Sequence, residues 1–589
     1  MAQADSTGAR FVRVCRLADI QAAGCLTVHV EGHTLALFAR GDEVHAVDNR
    51  CPHMGFPLDR GTVKDGILTC HWHHARFDLC SGGTLDPFAD DVRTYPVSVV
   101  DGRVMVGLPL EGDRGAALLN RLDDGLEQGL TLVTAKAVLG LLDADVAAAD
   151  MVERGVAFGA RHRGAGWGAG LSVLVAMANL LPRLDPADRA LALVHGLAFV
   201  SRDTRGHPDR FPLSPLSTSS LAEDRLTGWY RRFIDTRTDD AAERTLATAI
   251  ASLDRPAVER LMFAALTDHV FVDGGHTLDF TNKAFEALDL LGWDSAPLVL
   301  SSLVQQTAAA RRHEEEGAWR HPEDLAGLAA RAASRLSGWD AAASDPSGLL
   351  GAPGIPDDAV ESVAWRLLDD GPGNVTDALF GALEEGATPE QVGRAVALAA
   401  GLRIARFGVQ NDHGDWDVVH HGFTYANALH QALSRQPSAE LLRGAVHGAL
   451  KVYLDRFLNV PAARRPVVAP GGGAGDLAEL QRCWDQQGRV DEAGGIVARW
   501  VLAGGDPDAA VAALGRALVN EDAGFHWFQT VEAAARQAAA WPRGSEPQAL
   551  LLAGAARFLA AQTPTRRELP QVVRIAVRLR RGEDLFEEE

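Results

Sequence analysis

Two short segments of this 589-residue chain each pair a cysteine with a histidine. His53 follows Cys51 after one residue, and His73 follows Cys70 after two. Together these side chains supply two thiolates and two imidazoles, a donor set that binds either one zinc ion or a [2Fe–2S] cluster. Both kinds of centre require stiff loops, and Pro52 restricts the backbone inside the first pair. This pattern constrains the N-terminal part of the chain more than any other feature.

Short runs rich in Val, Leu and Phe recur through residues 11–108 and are separated by turn-forming pairs. Asp101-Gly102 lies between two alternating runs, which predicts a β-hairpin. Several short strands at this spacing predict an all-β domain, a sandwich or a barrel, over residues 1–110.

The sequence around these pairs resembles the Rieske ferredoxin family, including the small Rieske subunit associated with nitrite reductases. The resemblance covers about residues 10–108 and lies in Cys51-Pro52-His53, in Cys70-His71-Trp72-His73 and in the following Phe77-Asp78. It implies a [2Fe–2S] cluster whose ligands are Cys51, His53, Cys70 and His73.

This chain departs from the family pattern at two positions. Many members have Pro where His71 stands and Gly where His74 stands. High-potential Rieske proteins of respiratory complexes also have an extra cysteine in each ligand loop, and Cys80 lies outside that pattern. The resemblance is therefore to the lower-potential branch of the family.

After about residue 116 the apolar residues recur at helical spacing, with Pro, Gly or Asp at the joins. The sequence thus predicts a multidomain chain in which a mostly α-helical region follows the β domain. A Pro- and Gly-rich stretch is typical of a linker. The predicted divisions are a helical domain over 116–462, a linker over 463–476 and a C-terminal helical domain over 477–589.

Two segments of the helical region, at about 255–290 and 392–435, share one pattern. Each reads Asp-His, a glycine-containing loop, His, five residues and then Asn. The two copies are Asp268-His269, His276 and Asn282, and Asp412-His413, His421 and Asn427. From His276 to His421, and from Asn282 to Asn427, the offset is 145 positions, which indicates an internal duplication.

Two such hairpins placed face to face would form a second metal centre. Its expected imidazole ligands are His269, His276, His413 and His421. Asp268 and Asp412 are expected either as carboxylate ligands or as hydrogen-bonding partners that fix the imidazoles. Imidazole and carboxylate suit iron, zinc or manganese, and non-haem iron is the expected ion. A structural explanation also fits, because histidine is favoured at a helix C-terminus and asparagine serves as a cap or a buried hydrogen-bonding residue.

Two other families bear on the helical region. Ring-hydroxylating Rieske oxygenases carry an Asp-x-x-His-x-x-x-x-His iron motif, which Asp417 and His420 begin, but Tyr425 stands where the second histidine belongs. Residues 381–400 resemble the helical hairpin of the carboxymuconolactone decarboxylase and alkylhydroperoxidase-like families. The Cys-x-x-Cys of the peroxidase members is absent, so this resemblance implies a fold and no thiol chemistry.

The net charge of −21 disfavours nucleic acid and anionic membranes as partners, because both attract clustered Lys and Arg. The longest apolar stretch is too short to span a bilayer, and the N-terminus lacks the pattern of a secretion signal, so we expect a cytoplasmic protein.

These features together predict a Rieske-dependent oxidoreductase, and an oxygenase is one type of enzyme that fits this prediction. A reductase or ferredoxin would supply electrons to the cluster, and the second centre would use them to activate oxygen or reduce a small substrate. The alternative is an electron carrier or redox sensor whose helical region is a scaffold for docking a partner.

Overall fold

The computed structural model describes residues 9–41, 43–109, 114–162, 164, 166–217, 221–342, 351–369, 371–465, 475–583 and 585. Within them, all the strands lie before residue 110, as predicted. They are β1 (Ala9–Arg16), β2 (Cys25–Val30), β3 (His33–Arg40), β4 (Glu43–Asp48), β5 (Thr62–Lys64), β6 (Ile67–Thr69), β7 (Arg76–Asp78), β8 (Thr94–Tyr95), β9 (Val97–Val100) and β10 (Arg103–Pro109). One short helix, α1 (Leu17–Ala23), lies between β1 and β2.

The strands form three antiparallel sheets, in the orders β1-β10-β9, β2-β3-β4-β8 and β5-β6-β7. In the first sheet Val100 pairs with Arg103, so Asp101 and Gly102 form a two-residue turn. Both turn residues have positive φ, 50° and 70°, the geometry that matches the twist of a hairpin. The predicted hairpin is confirmed.

Two apolar clusters stabilise the β domain, and β3 contributes to both. Successive residues of a strand point to opposite faces, so Leu35 and Leu37 enter one cluster while Ala36 and Phe38 enter the other. The second cluster also contains Leu58, Leu68, Phe77, Cys51 and Cys70. The predicted ligand cysteines are therefore anchored in packed core.

Helices dominate the described residues from 114 onward, as predicted. They are α2 (Arg114–Gln128), α3 (Thr131–Asp143), α4 (Ala148–Arg161), α5 (Ala169–Leu180), α6 (Pro186–Thr204), α7 (Glu223–Asp235), α8 (Asp239–Ser252), α9 (Arg255–Thr267), α10 (His276–Leu291), α11 (Ala296–Ala309), α12 (Leu325–Ala342), α13 (Asp357–Asp369), α14 (Pro372–Glu384), α15 (Pro389–Ala405), α16 (His413–Arg435), α17 (Ala439–Leu454), α18 (Leu480–Asp485), α19 (Val490–Leu502), α20 (Pro507–Val519), α21 (Phe525–Ala539), α22 (Glu546–Gln562) and α23 (Glu568–Arg580).

The chain divides into two compact units. The first comprises residues 1–151 together with 571–589, and the second comprises residues 152–570. The first unit thus joins the β domain to α2, to α3 and to most of α23. The boundaries expected from the sequence near 110 and 463 do not coincide with this division, and residues 466–474 of the expected linker lie outside the described residues.

In the second unit, each copy of the duplicated pattern is a helix, a connection and another helix. The first copy consists of α9 and α10, and the second consists of α15 and α16. Helix α16 packs against both α10 and α21. This packing sets the first turns of α10 and α21 beside the middle of α16.

Within the described residues, we find no helix that combines the length and the apolar character needed to cross a membrane.

Candidate functional site

The two cysteine–histidine segments form loops of the same construction. The first follows β4, and the second connects β6 to β7. In each loop the cysteine amide donates to the carbonyl five residues later, Cys51 N to Phe56 O at 2.8 Å and Cys70 N to Ala75 O at 2.9 Å. Each cysteine is therefore fixed by backbone contacts before any metal is bound.

The fifth residue of each loop has a left-handed backbone. Gly55 has φ of 87°, and His74 has φ of 60°. His74 therefore keeps the conformation that glycine provides in many family members, and histidine tolerates this region better than most residues do. The departure from the family pattern at His74 leaves the loop geometry intact.

The loops bring the four predicted ligands together. Cys51 and Cys70 are 2% and 1% exposed, and the Cys51 thiol donates a hydrogen bond to the Cys70 sulfur. The rings of His53 and His73 lie 4.9 Å apart, centroid to centroid, at 83°. Nδ1 of His53 is buried and lacks a hydrogen-bond partner among the described residues, whereas the His73 side chain is exposed.

The surroundings of both imidazoles lower their pKa values, which favours the neutral form. Burial is the main cause that lowers the pKa of His53 to about 4, and the charges of His73 and Lys136 add to it. The pKa of His73 is lowered by burial and by His74. The hydrogen bond between the two cysteines lowers the pKa of Cys70 to about 6 and raises the pKa of Cys51, so it favours the thiolate form of Cys70. Neutral imidazole and thiolate are the forms that bind metal.

The residues present fit a [2Fe–2S] cluster. Two adjacent sulfurs and two adjacent imidazoles form the mixed donor set, and the unpartnered His53 Nδ1 is a buried polar atom that a metal would satisfy. His71 also lies in the second loop, but its Nε2 forms a hydrogen bond with Thr62 Oγ1.

Lys136 of α3 holds the first ligand loop in place. Its Nζ donates to the carbonyl of Pro52 and, at 2.9 Å, to that of His53. The same Nζ lies 3.2 Å from Asp90 Oδ2, and Arg121 of α2 also pairs with Asp90. Helices that follow the β domain in sequence therefore position a ligand loop inside the first unit.

A second cluster of metal-binding side chains lies in the second unit. His276 is the first residue of α10, His421 lies in α16, and His526 lies in the first turn of α21. One ring nitrogen from each lies within 4.8 Å of the other two, and the Nε2 atoms of His421 and His526 are 3.0 Å apart. We call these three residues the histidine triad.

Burial lowers the pKa of two members of the triad, His421 and His276. Desolvation, followed by repulsion from His276 and His526, lowers the pKa of His421 to about 2. Desolvation likewise lowers the pKa of His276 to about 4, and its Nδ1 has no hydrogen-bond partner among the described residues. On the far side of the triad, His526 Nδ1 lies 3.5 Å from Asp417 Oδ1.

A buried polar network continues below the triad along the same helices. One turn down, Gln529 of α21 donates to Asp279 of α10. Farther along, Lys283 Nζ lies 2.8 Å from Glu286 Oε2 and 2.7 Å from Glu532 Oε2. All five side chains are at most 3% exposed.

The other expected ligands of the second centre lie elsewhere. Asp268 pairs with Arg231 at 2.6 Å and with Arg443 at 3.0 Å, so two guanidinium groups already neutralise it. His269 lies 2.8 Å from Glu314. Asp412 caps α16 by accepting from the Asp415 amide at 3.0 Å. The side chain of His413 lies outside the described residues.

Among the five expected residues whose side chains are described, the structure thus brings only His276 and His421 together, and it adds His526. A weak sequence signal for His526 exists, because five residues separate it from Glu532, as five separate His276 from Asn282 and His421 from Asn427. The missing Asp-His before His526 and the change from Asn to Glu hid this third copy of the pattern.

Comparisons with known proteins bear on the first site. The family model "Rieske [2Fe-2S] domain" matches residues 10–96. The ferredoxin component of the naphthalene 1,2-dioxygenase system of Pseudomonas putida is 35% identical over 100 residues, which are 17% of this chain and 96% of that protein. The ferredoxin component of the alkene monooxygenase system of Xanthobacter autotrophicus is 30% identical over 19% of this chain and 93% of that protein.

A solved structure gives a similar match. The ferredoxin of carbazole 1,9a-dioxygenase from Nocardioides aromaticivorans IC177 is 29% identical, with 17% of this chain and 98% of that chain covered and a TM-score of 0.16. Residues 10–96, which the family model matches, contain both ligand loops. Through this N-terminal domain, the chain belongs to the Rieske [2Fe–2S] family and is homologous to the ferredoxin components of oxygenase systems.

Proposed function

We propose that this chain is a Rieske-dependent oxidoreductase. Its cluster site receives electrons from a reductase or ferredoxin, and a histidine-rich centre in the second unit uses them to activate oxygen or to reduce a small substrate. Non-haem iron is the metal that suits this second centre. The observation that carries the proposal is the convergence of Cys51, Cys70, His53 and His73 in one site with both sulfur and nitrogen donors.

A [2Fe–2S] cluster bound there would exchange one electron at a time. The protein supplies an asymmetric environment for that exchange. The sulfur side is buried, since both cysteines belong to an apolar cluster, whereas His73 is exposed to solvent. An exposed imidazole gives a partner protein a short route to the cluster, and His73 is therefore the side on which a donor docks.

The relatives support the electron-transfer part of the proposal, because they are named as ferredoxin components of a dioxygenase system and of a monooxygenase system. A separate ferredoxin meets its enzyme by diffusion. In this chain the homologous domain is covalently joined to a large helical unit, which raises the effective concentration of one for the other.

The first test concerns the cluster ligands. We expect Cys51→Ser and His73→Ala each to abolish the visible absorption and the paramagnetic resonance signal of a reduced Rieske centre. Cys80→Ser is the matched control, because Cys80 is exposed and lies outside both loops, and it should keep both spectra. Purified protein that is colourless and contains stoichiometric zinc after anaerobic reconstitution would contradict the proposal.

A second candidate function is an electron carrier or redox sensor whose helical unit docks a partner. It is favoured by the relatives' names, which describe carriers, and by their alignment with less than a fifth of this chain. Reoxidation of the reduced protein by oxygen separates the two. An oxidoreductase of the proposed kind should reoxidise at least tenfold more slowly in His421→Ala, whereas a carrier should show no change.

A further inference from the structure

The histidine triad is assembled from three helices that are far apart in sequence. His276, His421 and His526 come from α10, α16 and α21, and each side chain is partly buried. The three rings face one another, with centroid separations of 4.5, 4.7 and 5.5 Å. In this structure Nε2 of His421 and Nε2 of His526 form a hydrogen bond with each other, while Nδ1 of His276 lacks a partner among the described residues.

We propose that His276, His421 and His526 bind one divalent first-row transition-metal ion, through one ring nitrogen each. This inference deepens the proposed function, because it identifies the residues of the second centre. The assignment of iron(II) as the bound ion rests on that proposed function. Metal binding by the triad is nevertheless measurable whether or not electrons reach it.

The separations suit such an ion. Metal–imidazole bonds of about 2.1 Å set neighbouring ligand nitrogens about 3.0 Å apart at octahedral angles and about 3.4 Å apart at tetrahedral angles. The Nε2 atoms of His421 and His526 are 3.0 Å apart, and all three donor nitrogens lie within 4.8 Å of one another. Small rotations of the side chains close the remaining gap.

The groups around the triad have the character of a metal site. Ligating histidines usually hold a carboxylate or carbonyl on the other ring nitrogen, which fixes the ring and raises its basicity. Asp417 Oδ1 lies 3.5 Å from His526 Nδ1 and provides this contact while Nε2 faces His421. Phe280 and Phe525 pack against the His276 ring at 5.4 and 5.6 Å and restrict its rotation.

Three protein ligands leave coordination positions open, which is the arrangement of catalytic rather than structural sites. Two residues close in sequence to triad members have buried polar atoms that lack hydrogen-bond partners among the described residues. They are Nε2 of His420, the neighbour of His421, and Oε1 of Gln529, one helical turn after His526. Buried atoms of this kind are usually satisfied by ordered water.

The test measures metal in the full-length protein. Elemental analysis of iron-loaded protein should find about one metal ion beyond the two cluster irons. Protein that keeps its cluster but has been depleted of the additional ion should take up one equivalent of Zn²⁺ in a calorimetric titration. His276→Ala, His421→Ala and His526→Ala should each weaken this uptake about 100-fold, and Asp417→Asn should weaken it about tenfold. The Rieske spectrum should remain unchanged in all four.

His269→Ala is the matched control, because the sequence pattern includes His269 but the structure pairs it with Glu314. It should keep the extra metal. Wild-type protein with only two irons and no Zn²⁺ uptake would overturn the inference without any variant, as would equal losses in His269→Ala and the triad variants. Metal bound at the triad together with unchanged reoxidation in His421→Ala would instead overturn only the proposed function.

Discussion

At the scale of single residues, Gly82 shows how closely the β domain is packed. Its φ is +80°, and a Cβ added there would lie 2.0 Å from the backbone oxygen of Val92. Its carbonyl also accepts a hydrogen bond from the Val92 amide at 2.9 Å. The closest atom belongs to the backbone of Val92, which cannot move aside as the end of a flexible side chain could.

We therefore expect Gly82→Ala to lower the free energy of unfolding of the first unit by about 3 kcal/mol or more. Gly102→Ala is the matched control, because Gly102 has φ of +70° with nothing within 4 Å of the added Cβ, so only backbone strain of about 1 kcal/mol applies. Urea denaturation followed through the visible absorption of the cluster measures both. Equal losses would show that packing against Val92 contributes nothing.

Asp279 is a second residue whose environment has a measurable effect. Burial raises the pKa of its carboxyl to about 7, although Lys283 and the hydrogen bond from Gln529 oppose the shift and Glu286 and Glu532 add to it. The unfolded chain loses this proton near pH 3.9, so between pH 4 and 7 the folded state binds more protons. Stability contributed by the proton is present below pH 4 and is lost as the pH rises to 7.

Asp279→Asn removes this dependence. Relative to wild type, the variant should gain about 2 kcal/mol of unfolding free energy between pH 5 and pH 7. Denaturant titrations of both proteins at the two pH values measure the difference. A constant difference would mean that the carboxyl is already ionised at pH 5 in the folded protein.

At the scale of elements, α10 and α21 are joined by a fully buried ion network. Lys283 is enclosed between Glu286 of its own helix and Glu532 of α21, at 2.8 and 2.7 Å. Asn179 of α5 also donates to both carboxylates. Removing one member of a buried network leaves an uncompensated charge, which is far more costly than losing an exposed pair.

Lys283→Met should accordingly destabilise the second unit by about 3–5 kcal/mol. The control is Arg543→Met, which breaks an exposed pair with Asp506 and should cost at most about 1 kcal/mol. Adding Glu532→Gln to Lys283→Met should restore part of the loss, because one unpaired charge is then removed. Thermal unfolding by circular dichroism tests all three, and a Lys283→Met cost no larger than the control would refute the argument.

Elements also show what local sequence can and cannot predict. Strand alternation and the Asp101-Gly102 turn depend on neighbours in the chain, so the β domain and its hairpin were predictable. The pairs of α9 with α10 and of α15 with α16 left a visible repeat. The repeat predicted Asp412 and Asp268 as metal ligands, but Asp412 caps α16 and Asp268 pairs with Arg231. These roles depend on local geometry and on a distant partner, which the repeat does not show.

At the scale of the whole molecule, the two sites differ in how far apart their residues lie. The four cluster ligands fall within residues 51–73, and loop spacing alone brings them together. The triad spans residues 276–526, and its third member lies beyond the stretch expected to be a linker. Tertiary packing of α21 against α16 brings it to the other two histidines, and in the sequence only the five-residue gap to Glu532 points to it.

The first unit also depends on a distant part of the chain. Residues from Gln571 onward belong to it, and Arg50 donates to the carbonyl of Glu583 at 2.6 Å. Arg580 of α23 pairs with Asp143 at the end of α3. These contacts connect the ligand-loop region and the helices around it to the C-terminal segment.

Ending the chain after Pro570 should therefore lower the temperature at which the cluster absorption is lost, by about 5 °C. A chain that ends after Glu583 keeps the contacts of Arg50 and Arg580 and serves as the control, with no expected change. Absorbance melting of both proteins gives the comparison. Identical melting of the shorter chain and wild type would show that the C-terminal segment does not stabilise this unit.

The discontinuity of the first unit has a consequence for biogenesis. While the ribosome is still translating the helical residues, a nascent chain already carries both ligand loops but not the segment that packs beside them. Iron–sulfur assembly on this protein should consequently be completed only after residues 571–583 have been translated. A nascent chain that stops before these residues should release its cluster more readily than one that includes them.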